Sequence, residues 1–181
     1  MPPRKREHAG SPPSTIVLDN VRLLFRNFSG MPGPFNDEGE RNFCVALPDD
    51  VAKSMEEDGF NVRWLTPREE GDPSQAILKI RVKYEKRDGT PTRPPLVVMI
   101  SQKPDGSLAK TTLSKEMLPI LDWAEIINVD LSFNPFTYSA AGRSGLSAYL
   151  KSIFVTIRVD ELEARYMDVP DSAQSAFLSE D

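Results

Sequence analysis

Ala76 to Arg87 reads as the clearest strand of the chain, and within it apolar and cationic side chains alternate one for one from Leu78 to Tyr84. Leu78, Ile80, Val82 and Tyr84 fall on one side, and Lys79, Arg81 and Lys83 on the other. A period of two is the mark of a strand with one buried and one wet face. This segment commits the chain to a sheet that covers a core on one side only. The pattern returns in Ile126 to Tyr138, where Val129, Leu131 and Phe133 alternate with Asp130, Ser132 and Asn134. It returns again in Leu146 to Val159, where Tyr149, Lys151, Ile153, Val155, Ile157 and Val159 share one face. The intervening SAAGRSG, residues 139–145, reads as a hairpin turn.

Shorter elements fill the remainder. Ile16 to Phe28, Arg41 to Leu47, Phe60 to Leu65 and Leu96 to Ile100 read as strands, and Lys103 to Gly106 as a turn. Asp49 to Asp58 reads as a helix with Val51, Ala52 and Met55 inward, ended by Gly59. Ser114 is a good N-cap for a second helix running to about Glu125. Residues 29–40, with three glycines and two prolines, form a loop of a length usually tied to function or mobility. About seven strands and two helices without regular βαβ alternation exclude a doubly wound sheet. The expected fold is mainly β: an antiparallel OB-like barrel with two short inserted helices and disordered termini. A β-sandwich is the structural alternative.

The 181 residues hold one cysteine, Cys44, and one histidine, His8, which excludes an internal disulfide. With one of each, a structural zinc site and a nucleophile–histidine unit are also excluded, so no metal, cofactor or catalytic residue is expected. Cys44 sits in an apolar strand and reads as an inert core thiol. Acidic pairs such as Asp49-Asp50 and Glu56-Glu57 read as surface charge, which leaves a metal-dependent nuclease without support. No stretch is apolar enough for a membrane span and the first residues lack a signal-peptide core. The reading is a cytoplasmic protein, in the host cell if viral, with no membrane role.

The formal net charge of −5 conceals a segregated distribution. Residues 1–14 are proline-rich and basic, read as a disordered head. Residues 168–181 carry Asp168, Asp171, Glu180 and Asp181 with no cation, read as an acidic tail. The ordered domain is expected over 15–167. Inside it, residues 76–93 hold six cations against Glu85 and Asp88. Lys79, Arg81 and Lys83 stand roughly 6–7 Å apart along an extended strand, close to the phosphate spacing of an extended single strand. Such strands are held by cations along the backbone and by rings that stack bases. The candidate contacts are Lys79, Arg81, Lys83, Arg41, Arg63, Trp64, Arg143, Tyr149 and Lys151. Further rings that could stack or pack include Phe60, Phe136 and Tyr138. In the tail, Phe177 with Glu180 and Asp181 offers an apolar, acidic anchor for a partner protein.

Six pieces occur in order: Phe25-Arg26-Asn27-Phe28-Ser29-Gly30; Phe35-Asn36; Gly39-x-Arg41-Asn42-Phe43-Cys44-Val45; Asp58-Gly59-Phe60-Asn61-Val62-Arg63; Leu121-Asp122-Trp123-Ala124-Glu125-Ile126; and Gly145-x-x-Ala148-Tyr149-Leu150-Lys151. Together they resemble phage single-stranded DNA-binding proteins over roughly residues 15–168. Phe60 departs from the pattern, since tryptophan is expected there. The resemblance implies an OB-fold core, binding of single strands with little sequence preference, and a tail that contacts replication proteins. The expected function is binding and protection of single-stranded DNA in phage replication or recombination, with no enzymatic activity. The tail would restrain DNA binding and meet replication or recombination proteins, and a homodimer is a further expected partner state. The alternative is a β-rich phage virion or assembly protein with no nucleic-acid role.

Overall fold

The computed structural model describes residues 14–86 and 88–166. The predicted acidic tail, with Phe177, Glu180 and Asp181, lies outside the described residues, as does the basic head before Ser14. In chain order the elements are β1 (Ile16–Leu18), β2 (Leu23–Asn27), β3 (Arg41–Leu47), α1 (Asp49–Asp58), β4 (Arg63–Leu65), β5 (Gln75–Val82), β6 (Leu96–Gln102), β7 (Leu108–Thr112), a 3₁₀ helix (Lys115–Asp122), β8 (Ile126–Ala140), β9 (Arg143–Arg158) and α2 (Glu161–Tyr166). The mainly β, OB-like expectation holds, and the sheet is mixed and not closed.

Its main path runs β1-β8-β9-β5-β3-β2, with β4 on β5, β6 on β9 and β7 on β6. Most neighbours are antiparallel, but β9 is parallel both to β5, at Ile80↔Ala148 and Arg81↔Tyr149, and to β6, from Leu96↔Ser152 to Gln102↔Arg158. One edge of β9 therefore serves two strands in succession. Around Leu150 and Lys151 its partner changes from β5 to β6, and the connection over residues 83–95 spans the place where those two strands part.

The predicted first strand is two strands, and the break has a cause. Asn20 adopts φ 49° and its N–H donates to the Asp130 carboxylate at 2.8 Å. Beyond it, Val21 N–H donates to Val129 O at 2.9 Å while Arg22 O accepts from Ala46 N–H at 3.0 Å. β1 thus lies on β8 and β2 on β3, so this short connector draws together the two ends of an open sheet. A second departure is Phe25, which the period of two in a strand over Ile16 to Phe28 would set on one face with Val21 and Leu23. A register shift between Leu24 and Asn27 and a φ of 51° turn it outward, 64% exposed.

The core explains why the alternating strands lie where they do. Phe28 and Phe43 stack at 5.0 Å between centroids, and Phe60 meets Phe133 edge-on at 5.8 Å. Leu78, Ile80 and Val82 join them, as do Val129, Leu131, Ile153 and Val155. α1 lays Ala52 and Met55 on this core. It ends at Gly59 in the left-handed conformation, φ 106°, and Phe60 N–H returns to Met55 O. The second helix is 3₁₀ rather than α, with Pro119 inside it. β7 was not anticipated; four of its five residues are exposed, so no apolar alternation marks it.

The long loop over residues 29–40 is tied down at both ends. Asp122, at the end of the 3₁₀ helix, accepts from Phe28 N–H at 2.6 Å, Ser29 N–H at 3.1 Å and the Ser29 hydroxyl at 2.7 Å. Inside the loop the Asn36 amide donates to the carbonyls of Met31, Asp37 and Glu40. Gly30 and Gly39 approach so closely that a Cβ on Gly30 would lie 3.0 Å from the Gly39 backbone.

Candidate nucleic-acid interface

An open cleft of about 1950 Å³ lies where β5, β9 and the 83–95 connection meet. The loop residues Glu38–Arg41 form one lip and the outer half of the β8–β9 hairpin forms the other. Eight cationic side chains and three carboxylates line it. The balance is strongly positive although the chain as a whole is acidic, so a polyanion would be drawn to this surface.

Each cation arrives by a local rule. Lys79 and Arg81 leave β5 on the face opposite Leu78, Ile80 and Val82, and both are half-buried. Long cationic stems can cover apolar surface in this way while their heads stay wet. Lys83 continues the row and sits 4.0 Å from Glu40 on the far lip. Tyr149 is in register with Arg81, one strand away, and Lys151 follows two residues on. Arg41 opens β3 opposite Val82. Lys86 and Arg93 come from the 83–95 connection and Lys115 from the start of the 3₁₀ helix.

The rings are equally informative. Phe136 and Tyr149 meet edge-on at 5.0 Å across the β8–β9 pair. Phe136 is 54% exposed and Tyr138 38%, and all three rings line the cleft. The hairpin carries them past the rest of the sheet to a tight turn at Ala141 and Gly142, both with positive φ. Gly145 keeps the hairpin close to α1. A Cβ there would come within 2.9 Å of Gly59 O and 2.8 Å of the Tyr138 hydroxyl.

The cleft thus brings together Lys79, Arg81, Lys83, Arg41, Tyr149 and Lys151 of the predicted contacts. It does not include Arg63, Trp64 or Arg143. Arg143 opens β9 at the tip of the hairpin, opposite Ala140, and its side chain is not part of the cleft lining. Arg63 stands with Lys79 near Cys44, where both charges oppose the rise that burial imposes on the thiol. Trp64 pairs with Ala76 near the opposite end of β5, and its indole N–H donates to the Glu56 carboxylate of α1. Phe60 is a core ring. Trp64→Phe is accordingly expected to leave affinity for oligo-dT within about twofold, while loss of the Glu56 bond lowers stability by roughly 1 kcal/mol. Thermal unfolding and a binding titration on the same variant check this.

Lys86, Arg93 and Lys115 were missing from the predicted contacts, while Phe136 and Tyr138, named from sequence only as rings that could stack or pack, also line the cleft. A faint signal existed for Lys86 and Arg93, which belong to the cationic run 76–93. None existed for Lys115. Among the described residues no group of three or more His, Cys, Asp or Glu side chains converges as a metal site. No described helix is long and apolar enough to cross a membrane.

The profile of a protein family described as a phage ssDNA-binding domain matches residues 9–180. No curated protein matches the chain. Among solved structures, the single-stranded DNA-binding protein from bacteriophage Enc34 in complex with ssDNA is 12% identical, with a TM-score of 0.47 over 79% of this chain and 86% of that one. The single-stranded DNA binding protein encoded by bacteriophage T7 is 11% identical, with a TM-score of 0.39 over 87% of this chain and 95% of that one. Both likenesses are distant, and it is the family match that bears on function.

Proposed function

The chain belongs to the phage ssDNA-binding domain family, and from that premise we propose that it binds and protects single-stranded DNA in the cleft beside β5 and β9. The observation that carries this reading is the meeting of the Lys79–Arg81–Lys83 row with the exposed rings Phe136 and Tyr138 and the half-buried Tyr149 on one surface. Cations that follow phosphates carry no sequence information. Rings accept any base, because every base has a π-face. Together they suit a strand of any sequence, as phage replication or recombination requires, in the host cell cytoplasm. The protein acts by covering DNA rather than by chemistry on it.

A titration of labelled oligo-dT and of a duplex of equal length, at two salt concentrations, tests the reading. The single strand should bind more tightly, and log K should fall against log salt with a slope near −3 if about four phosphates are neutralised. Equal or weaker binding of the single strand would favour a virion or assembly role instead.

The acidic segment 168–181 completes the proposal. Fourteen residues can reach roughly 20 Å from their anchor, so the carboxylates of this segment act as a tethered competitor for the cationic cleft. With Phe177 as an apolar anchor and Glu180 and Asp181 beside it, the same segment meets replication or recombination proteins, and a second copy can join as a homodimer. Truncation after Met167 should tighten DNA binding, most at about 20 mM salt and least at about 200 mM, where screening is stronger. Phe177→Ala, which alters no charge, should leave DNA affinity alone. Unchanged affinity of the truncated chain at both salts would remove the competitor role.

A further inference from the structure

Two buried side-chain polar atoms have no hydrogen-bond partner among the described residues: Nε of Arg41 and the hydroxyl of Tyr84. Both side chains line the cleft. Buried donors are rarely left unpaired, because an unmet donor forfeits its hydration without return. Both residues border one cleft, at whose wall a bound acceptor would meet the two donors.

The strand register explains why they meet. Arg41 pairs with Val82, two residues before Tyr84. The apolar row Val45–Phe43 on β3 and the row Leu78–Ile80–Val82 on β5 both run out at the cleft edge, one in an arginine and the other in a tyrosine. The two lie close enough that the Arg41 charge opposes the rise burial imposes on the Tyr84 phenol, while Glu116 adds to it. The net direction is upward, so the phenol keeps its proton and remains a donor at neutral pH. The far end of Arg41 is tethered, Nη1 donating to Gly39 O at 3.4 Å.

Two further cations stand beside the pair, each held by a carboxylate. Lys115 lies 3.3 Å from Glu85 and 6.0 Å from the centre of the Tyr84 ring, and Lys83 lies 4.0 Å from Glu40. Both ion pairs are part-exposed, and pairs of that kind contribute little to stability. Either lysine can exchange its carboxylate for a stronger anion. Donors and charges converging from several sides suit a tetrahedral oxyanion better than a planar carboxylate.

We propose that Arg41 Nε and the Tyr84 hydroxyl form a recess for one phosphate oxyanion, closed by Lys83 and Lys115 as they leave Glu40 and Glu85. The recess rests on the single-strand reading only for the source of that phosphate, an internal phosphodiester or a terminal phosphate.

The test uses the full chain, with inorganic phosphate and oligo-dT as probes. At constant ionic strength, phosphate should raise the unfolding temperature of the parent and not that of Tyr84→Phe. Tyr84→Phe should bind oligo-dT about fivefold more weakly with the same salt slope, because a hydrogen bond is lost and no charge. Without phosphate it should unfold at a higher temperature than the parent, since an unpaired buried hydroxyl is gone. Arg41→Lys keeps the charge but not the Nε donor, and should bind about tenfold more weakly. Tighter binding of 5′-phosphorylated than 5′-hydroxyl oligo-dT, lost in Tyr84→Phe, assigns the recess to a terminal phosphate; equal binding assigns it to an internal one. Should the parent bind single strands and Tyr84→Phe match it in affinity and in response to phosphate, the recess is refuted and the single-strand reading stands. Should phosphate protect the parent through Tyr84 while oligo-dT fails to bind, the recess stands and the single-strand reading is lost.

Discussion

Replacing Lys79, Arg81 and Lys151 together by alanine is expected to weaken binding to oligo-dT about a hundredfold at about 0.1 M salt. The reasoning starts from counterions. Each phosphate neutralised on a single strand releases about 0.7 of a condensed cation, which at about 0.1 M salt contributes roughly 0.7 of a decade in affinity. Three contacts therefore account for about two decades, and the salt slope should become shallower by about 2. All three residues line the cleft, and Lys151 is exposed on β9. None is a core residue, so the unfolding temperature should move little. Anisotropy titrations at several salts measure both the loss and the slope. A triple variant with the parent's slope would mean that the row on β5 is an ordinary solvated face, with the strand held elsewhere.

Asp122→Ala is expected to lower stability by about 2–4 kcal/mol, a large loss for a residue outside the core. Its carboxylate accepts from Phe28 N–H, Ser29 N–H and the Ser29 hydroxyl. Removing it leaves two backbone donors unmet beside the fully buried Phe28 ring, which stacks on Phe43. In a chain of this size the unfolding temperature should fall by roughly 10 °C. The effect should also reach function. Asp122 anchors the root of the loop whose far end, Glu38–Arg41, forms one lip of the cleft. Loosening that root should weaken oligo-dT binding severalfold without changing the salt slope, because no cation is removed. Asp122→Asn retains one acceptor oxygen in place and should fall between parent and alanine on both measures. Thermal unfolding and titration of the two variants check this. An alanine variant as stable as the parent would show that the loop holds itself, through Asn36 and the close approach of Gly30 to Gly39.

The rings show where local sequence stops being informative. Trp64, beside Arg63, looks from sequence like a better stacking ring than Phe136, which has no neighbouring cation. In the fold Trp64 is held by Glu56 at one end of β5, and Phe136 lies against Tyr149 in the cleft. Nothing local separates the two, because a ring's fate depends on which strand ends beside it. Phe25 makes the same point in one residue. Its neighbours alternate as a strand should, yet a bulge and a positive φ turn it to solvent.

What the sequence determined by itself was the facing of strands that run without a bulge. On β9 the face expected to join Tyr149 and Lys151 to Ile153 and Val155 is broken by a register shift at Lys151, where Ala148 and Leu150 go inward ahead of Ile153 and Val155. The alternation at 76–84 put Leu78, Ile80 and Val82 in the core and Lys79, Arg81 and Lys83 outside it, because successive side chains of a strand must leave on opposite faces. Gly59 marked the end of α1, because left-handed backbone favours glycine. The fold class followed from counting such segments. Only the tertiary structure decided which strands are neighbours. The passage of β9 from β5 to β6, which opens the cleft, joins residues more than fifty positions apart. The meeting of Arg41 with Tyr84, and of Phe136 with Tyr149, depends on long-range register in the same way. Backbone hydrogen bonds are alike at every residue, so pairing over such separations is selected by the shape of the whole core and leaves no mark in any local stretch of the chain.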